Sequence, residues 1–388
     1  MEFRLEEIFY LQMGKTPSRN NPDYWNSEDN KWISIADLSK CGKYIENTKE
    51  YLSDLAVEES GISCIPENTV VMSFKLSIGK TAITPEPMFS NEAIMSFRDK
   101  KIIEILPDYI YYMFSGKDWD EGTNKAVMGK TLNKATLSKI KVNIPSIEEQ
   151  KSVVEVLDKV SKLIADRKAE LEKLDELIKA RFVELFGSIH EDKFPKCTLR
   201  EVAHIKHGFA FSGEFFSEEE NGIVLVTPGN FALGGGFQEV RNKYFTSDYP
   251  EEYILHAGDL IVTMTDLSKK ADTLGYGAIV PDTGKVYLHN QRIGLFDQLD
   301  EKLNPVFVRW YMQTNEYRLE IVRTSTGSTV HHTSPDRILD SVIYLPPIEL
   351  QNSFVRFAKQ VDKSKVAVQK ALDEAQLLFD SLMQKYFG

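Results

Sequence analysis

Apolar residues recur at three- and four-residue steps in the middle of the chain, at Leu157, Val160, Ile164, Leu171, Leu174, Ile178 and Leu185, with charged residues between them. The last stretch repeats the pattern with Val361, Val368, Leu372, Ala375, Phe379, Leu382 and Tyr386. Such spacing lays one apolar stripe along a helix, and over roughly four to five heptads it makes an a/d seam. Neither stretch contains glycine or proline until its closing residue, and Glu, Lys, Ala and Leu are frequent. Each therefore predicts one unbroken helix of roughly 55–60 Å, at ~1.5 Å per residue. Two stripes of equal length and register prefer to cover each other. They are not interchangeable, since Arg167 stands where the second helix has Val368, and Lys365 where the first has Ile164.

The lead-in to each helix is also written twice. "IPSIEEQ" opens the first at Ile144 and "LPPIELQ" the second at Leu345, an offset of 201. At that offset Ile144–Gly187 lies on Leu345–Gly388 without a gap. A repeat of this kind fixes architecture before any motif does. The segments before the helices match more loosely. "FRLEEIFYLQMGKTPS" resembles "CTLREVAHIKHGFAFS", with Gly14 on Gly208, and "FSNEAI" resembles "LHNQRI". In both halves β-favouring runs, Thr69–Met72 and Leu260–Val262, follow turn residues and read as strand, turn, strand. The expectation is an α+β chain: a mixed globule over 1–143, a helix over 144–187, a second globule over 188–344 and a second helix over 345–388.

Length and composition agree with several cores rather than one: 388 residues, 42% hydrophobic, with no apolar run long enough to cross a bilayer. The opening "MEFRLEEIFY" is acidic and lacks a signal-peptide core. Cys41, Cys64 and Cys197 are scattered and form no CxxC pair, which suits a reducing cytoplasm. A net charge of −11 excludes wholesale coating by nucleic acid, because phosphate contacts need Lys and Arg. Any nucleic-acid surface must be a local patch on an acidic body.

Most of the tempting chemistry fails on inspection. "GKT" occurs at Gly14, Gly79 and Gly129, but a P-loop needs glycine five positions earlier, where Phe9, Phe74 and Asn124 stand. "NPDY" at Asn21–Tyr24 has no glycine-rich turn before it to hold a methyl donor, and reads as an Asn-Pro turn. "PDTGK" at Pro281–Lys285 lacks the second acid-x-Lys element of a metal-dependent nuclease. The seven histidines have no zinc-like spacing with the cysteines, and no GxSxG is present. The sequence shows no catalytic constellation and implies no metal and no cofactor of its own.

What remains is a polar, cationic stretch before each helix. "GTNKAVMGKTLNKATLSKIKVN" carries Lys125, Lys130 and Lys134 and no acid. Its counterpart "RTSTGSTVHHTSPDR" carries Arg323, Thr324, Ser325, Thr326, Ser328, Thr329, His331 and His332. The hairpin regions add Lys75 and Lys80, then Lys269 and Lys270. Cations, hydroxyls and amides of this sort hold phosphates and read base edges. A basic run is often only a solvated face, but here it recurs at matched places, which makes these the candidate DNA-binding residues.

Globule, long helix, second globule, matching helix, with P-x-I-E-x-Q opening each helix, resembles the specificity subunit of type I restriction–modification systems. Pro145, Ile147, Glu148 and Gln150, with Pro346, Ile348, Glu349 and Gln351, carry the resemblance, as does the closing "LFDSLMQKYFG". Leu350 departs from the pattern, where the family has a second polar residue. The resemblance implies two target recognition domains that read the halves of an asymmetric, bipartite site in double-stranded DNA. It implies helices paired as an antiparallel coiled coil with pseudo-twofold symmetry, which measure the unread spacer. It implies a subunit without catalysis of its own. The partners would be two methyltransferase subunits, which carry S-adenosylmethionine, and translocating endonuclease subunits that can join them. The rival reading from another class is a cytoplasmic scaffold that does not bind DNA and acts through its coiled coil.

Overall fold

The computed structural model describes residues 1–75, 77–119, 132–240, 242–268, 270–327 and 329–388. By its internal contacts the chain forms two compact units: Met1–Ala169 with Gln369–Gly388, and Glu170–Val368. The division falls inside both long helices, because each unit takes part of its core from each of them.

In the first unit, strands β1 (Glu2–Arg4), β2 (Phe9–Met13), β3 (Val70–Ser73), β4 (Thr81–Ile83), β5 (Ile94–Asp99) and β6 (Lys141–Asn143) frame the core, with helices α1 (Pro107–Gly116) and α2 (Ile147–Phe186). A four-stranded antiparallel sheet runs β2-β5-β3-β4. Its central strand β3, Val-Val-Met-Ser, is buried at every position, as an apolar run covered on both faces must be. The pair β1–β6 ties the first residues to the lead-in of α2, in the register Glu2↔Asn143. Helix α1 starts on Pro107, whose fixed φ and missing N–H suit a first helical position. Beside this sheet, Glu50–Leu52, Asn30–Ile33 and Phe89–Ser90 form a smaller one.

The second unit repeats this frame. Its strands β7 (Lys196–Thr198), β8 (Ala203–His207), β9 (Leu260–Thr263), β10 (Gly277–Ile279), β11 (Ile293–Leu299) and β12 (Val342–Tyr344) accompany helices α3 (Pro305–Tyr311) and α4 (Ile348–Phe387). The sheet order β8-β11-β9-β10 has the same topology, and β7–β12 is the equivalent clasp, Lys196↔Tyr344. Pro305 again opens the helix that follows the sheet. The accessory sheet is larger here: Phe216–Ser217, Lys243–Phe245, Ile223–Val226, Val286–His289 and Ile254–Leu255, in that order.

The helices pair within each unit. In the first, Val160 and Ile164 of α2 share a buried cluster with Leu372, Ala375, Phe379 and Leu382 of α4. In the second, Asp175 meets Lys365 at 2.6 Å, and Phe182 meets Phe354 with ring centroids 5.2 Å apart. In the second unit, moving forward along α2 from Asp175 to Phe182 is thus moving backward along α4 from Lys365 to Phe354, which is antiparallel packing. Every seam residue read from the sequence is buried or half-buried: Leu157, Val160, Ile164, Leu171, Leu174, Ile178 and Leu185, and Val361, Val368, Leu372, Phe379, Leu382 and Tyr386. Three of the deepest side chains, Phe182, Phe186 and Phe354, fall outside that reading. They lie where α2 and α4 meet α3 rather than only each other, so they follow the globule's core and not the heptad.

Candidate nucleic-acid interface

Four loops converge at one end of each four-stranded sheet. In the first unit these are the loop after β2, the turn before β5, the β3–β4 hairpin and the segment before the short helix Lys134–Ser138. Three backbone bonds stitch them together: the Lys15 N–H donates to the Ser90 carbonyl at 2.8 Å, Phe74 N–H to Ala93 O at 3.0 Å, and Leu132 N–H to Phe74 O at 3.2 Å. The second unit makes the same three. Phe209 N–H donates to His289 O at 2.8 Å, Met264 N–H to Arg292 O at 2.9 Å, and Thr333 N–H to Met264 O at 2.9 Å.

Two glycines make this closeness possible. A Cβ on Gly14 would lie 2.1 Å from Ser90 O, and one on Gly208 would lie 2.1 Å from Asn290 O. No side chain fits there, so the loop after the strand can lie directly on the neighbouring turn. Asn91 and Asn290 shape that turn from inside, each accepting a 3.0 Å bond from the backbone N–H two residues on, Ala93 and Arg292 respectively.

The frame is common to both units, but the side chains on it differ. In the first, Arg19 stacks 3.6 Å over the Trp25 ring and pairs with Glu50. Thr16 donates its hydroxyl hydrogen to Glu92. That bond, aided by the charges of Lys75 and Arg19, holds the Glu92 carboxyl below its ordinary range. In the second unit Phe209 is 39% exposed and packs edge-on against Phe211 and at a tilt against Tyr253. Gln291 and Arg292 are exposed at the turn. His289 is buried beneath it, with Nε2 2.8 Å from Ile293 O, and burial pulls its pKa down to about 4.

The residues singled out from sequence are distributed unevenly around these loops. Lys75 stands at the start of the first hairpin, half-buried with its ammonium 5.2 Å from the Phe74 ring centroid, and Lys80 at the hairpin's return. Lys270 is exposed in the equivalent loop of the second unit. His331 and His332 form a short strand on Thr265–Asp266, and the Thr265 hydroxyl lies 3.2 Å from His332 Nδ1. Thr326 exchanges backbone bonds with His332, and Thr329 is exposed. The hydroxyls of Thr324 and Ser325 are occupied within their own chain segment, donating to Glu320 O at 2.9 Å and Val322 O at 2.7 Å. Arg323 faces a cleft with Tyr311, Glu320 and Val342. Lys134 lines a different cleft, with Tyr10 and Lys100, beside the first half of β2. Lys125, Lys130, Lys269 and Ser328 lie outside the described residues.

Arg19, Glu92, Phe209, Gln291 and Arg292 were missed by the sequence reading. For Glu92, Gln291 and Arg292 the signal was available in the match of "FSNEAI" to "LHNQRI", where a constant Asn is followed by residues that differ. Among the described residues no group of three or more His, Cys, Asp or Glu is placed to hold a metal ion, and no helix is long and apolar enough to cross a membrane.

The family model described as the type I restriction modification DNA specificity domain matches this chain twice, over residues 1–173 and 191–375. The chain belongs to that family. The two matches correspond to the two copies of the frame, each running into a long helix. Specificity subunits of these systems are non-catalytic. Among curated relatives, the MjaVIII specificity subunit of Methanocaldococcus jannaschii is 23% identical over 335 residues, 79% of this chain and 77% of that protein. The MjaIX specificity subunit of the same organism is 28% identical over 178 residues, and the EcoR124I/EcoR124II specificity subunit of Escherichia coli is 28% identical over 167. These two matches take in 45% and 41% of this chain, and each spans only 40% of the relative's own length. The same fold occurs in the S subunit of a type I restriction-modification system from M. genitalium, with TM-score 0.59 at 12% identity, over 100% of this chain and 96% of that one. It recurs in a chain studied for complex assembly and conformational transition of the type I R-M system, with TM-score 0.60 at 14% identity, over 100% and 97%.

Proposed function

We propose that this chain is the DNA-reading subunit of a type I restriction–modification complex. Its two globules, taken as target recognition domains over 1–143 and 188–344, read the halves of an asymmetric, bipartite site in double-stranded DNA. The chemistry belongs to partners: two methyltransferase subunits that bind S-adenosylmethionine, with endonuclease subunits as a further layer. The complex works in the cytoplasm.

The observation that carries this reading is the repeated loop cluster. One backbone frame, held by the same hydrogen bonds, presents different polar and aromatic side chains in the two units. A duplicated frame with divergent tips suits a reader of two unlike sequences, because base readout is local to the side chains in the groove. The net charge of −11 confines such contact to patches, and leaves most of the surface for protein partners.

The test is to co-express the chain with its methyltransferase subunits and map methylated adenines across a genome. One bipartite motif is expected. Exchanging residues 1–143 for the corresponding globule of a relative should change one half-site and leave the other as it was. An assembled complex that modifies no DNA would favour the scaffold reading instead.

A further inference from the structure

We propose that Glu92 and Gln291 are base-reading residues at matched positions of the two globules. The Glu92 carboxylate would accept a hydrogen bond from the exocyclic amino group of cytosine, and the Gln291 amide would pair with the edge of adenine. This rests on the DNA-reading function above and names side chains within it.

The turn itself singles these positions out. Ser90 and His289 point inward and are buried. Asn91 and Asn290 spend their side-chain oxygens inside the turn. Ala93 and Arg292 give their carbonyls to the neighbouring hairpin. Glu92 and Gln291 occupy the position left over, and both are exposed. Their backbone is fixed on both sides, by the bond from Lys15 or Phe209 and by the bond from Phe74 or Met264. A side chain on so well-held a turn is pre-positioned, which is what discrimination between bases requires.

The surroundings fit the two assignments. The Thr16 hydroxyl orients Glu92 through Oε2. A carboxylate has roughly four acceptor sites, so one such bond leaves capacity for an amino group. The Thr16 bond, aided by the charges of Lys75 and Arg19, favours its ionised form, and an ionised carboxylate only accepts. A carboxylate facing DNA would be repelled by phosphate without such cations beside it. Gln291 has no acid to offset, and its amide offers the donor and acceptor pair that adenine matches. Arg292, exposed beside it, supplies the positive charge in that globule.

The experiment maps methylated sites made by the assembled complex carrying E92Q, E92A or Q291E. E92Q should move one base pair of one half-site from C·G toward A·T, by about tenfold or more in preference. E92A should make that same base pair degenerate. Q291E should do the reverse of E92Q in the other half-site. The inference is overturned if all three leave both half-sites unchanged, or if one variant alters both. It is also overturned if E92Q and E92A both abolish modification by a complex that still assembles, because losing one reader should relax specificity rather than end it. A wild-type complex that modifies no bipartite site would instead overturn the proposed function.

Discussion

Gln150 and Gln351 make the same three hydrogen bonds in the two units. Nε2 of Gln150 donates to Glu104 O at 3.0 Å and Pro145 O at 3.1 Å, while Oε1 accepts from Leu106 N–H at 2.9 Å. Gln351 repeats this with Lys302 O at 2.8 Å, Pro346 O at 2.8 Å and Asn304 N–H at 2.9 Å. Both side chains are fully buried. Each fastens the first turn of a long helix to the loop that leads into α1 or α3. That is the physical reason for the repeated P-x-I-E-x-Q.

Replacing either glutamine by alanine should therefore destabilise its unit by about 2–4 kcal/mol, since a buried N–H and two carbonyls lose their partner. Urea unfolding is the measurement. E149A, on an exposed position one residue earlier, should stay within about 0.5 kcal/mol of wild type. Equal effects of Q150A and E149A would contradict the fastening role.

Much of this frame was legible in the sequence, and the reasons are specific. The long helices were visible because an a/d stripe and the absence of Gly or Pro are local signals. The glutamine motif was visible because it is written twice. The partition of each helix between two cores was not visible, since Phe182 and Phe354 lie off the heptad and answer to α3. The loop cluster was half visible. Lys75 and His332 belong to it, while Arg19 and Glu92 come from segments whose nearness to them depends on the sheet order. The hydroxyls of Thr324 and Ser325 look available in sequence, and only the helix geometry shows them bonded to their own carbonyls.

Lys43 bridges two carboxylates, with Nζ 2.5 Å from Asp108 Oδ1 and 2.6 Å from Asp158 Oδ1. Tyr44 and Tyr112 donate to the same oxygens, at 2.8 Å and 2.5 Å. Burial alone would raise the Asp108 pKa, but the bonds from Lys43 and Tyr44 outweigh it and hold it below the usual range. A lowered carboxyl pKa gives stability that is present above the ordinary carboxylate range and is lost as pH falls through the lowered value. K43M should cost the first unit about 1–3 kcal/mol at pH 7 and flatten its loss of stability in acid. Adding D158N to K43M should recover part of that, as a double-mutant cycle would detect. Strict additivity would mean that the two side chains do not act together.

His289 should also cost the second unit stability as pH falls, but in a different pH window. Its neutral form is favoured by burial, so its folded pKa is about 4 against about 6.5 when unfolded. Among the described residues Nδ1 has no hydrogen-bond partner, Lys206 and His207 disfavour a positive charge, and Asp259 only partly offsets them. The unfolded state thus takes up the proton first. Stability is intact above about pH 6.5 and falls between about 6.5 and 4, by up to about 3 kcal/mol. H289Q should reduce that fall while lowering stability at pH 7. An unchanged acid limb in H289Q would show that another group titrates.

Phe186 and Phe387 are the same residue of the repeat, yet they should differ in worth. Phe186 is fully buried, with the rings of Phe182 and Phe307 both centred 4.8 Å away and that of Phe354 at 5.7 Å. Phe387 is half-buried and packs on Tyr109 at 5.5 Å. Truncating a fully enclosed phenylalanine removes its transfer energy and leaves a cavity, at about 3–5 kcal/mol. A half-buried one loses less apolar contact and leaves a gap that water can fill, so about 1–2 kcal/mol is expected for F387A. F186A should thus lower the midpoint of the second unit clearly more than F387A lowers that of the first. Leu185, half-buried one position earlier, provides the internal comparison: a heptad reading would rank it above Phe186, and the packing ranks it below. If L185A proved costlier than F186A, α2 would be held by its seam with α4 rather than by the aromatic core it enters in the second unit.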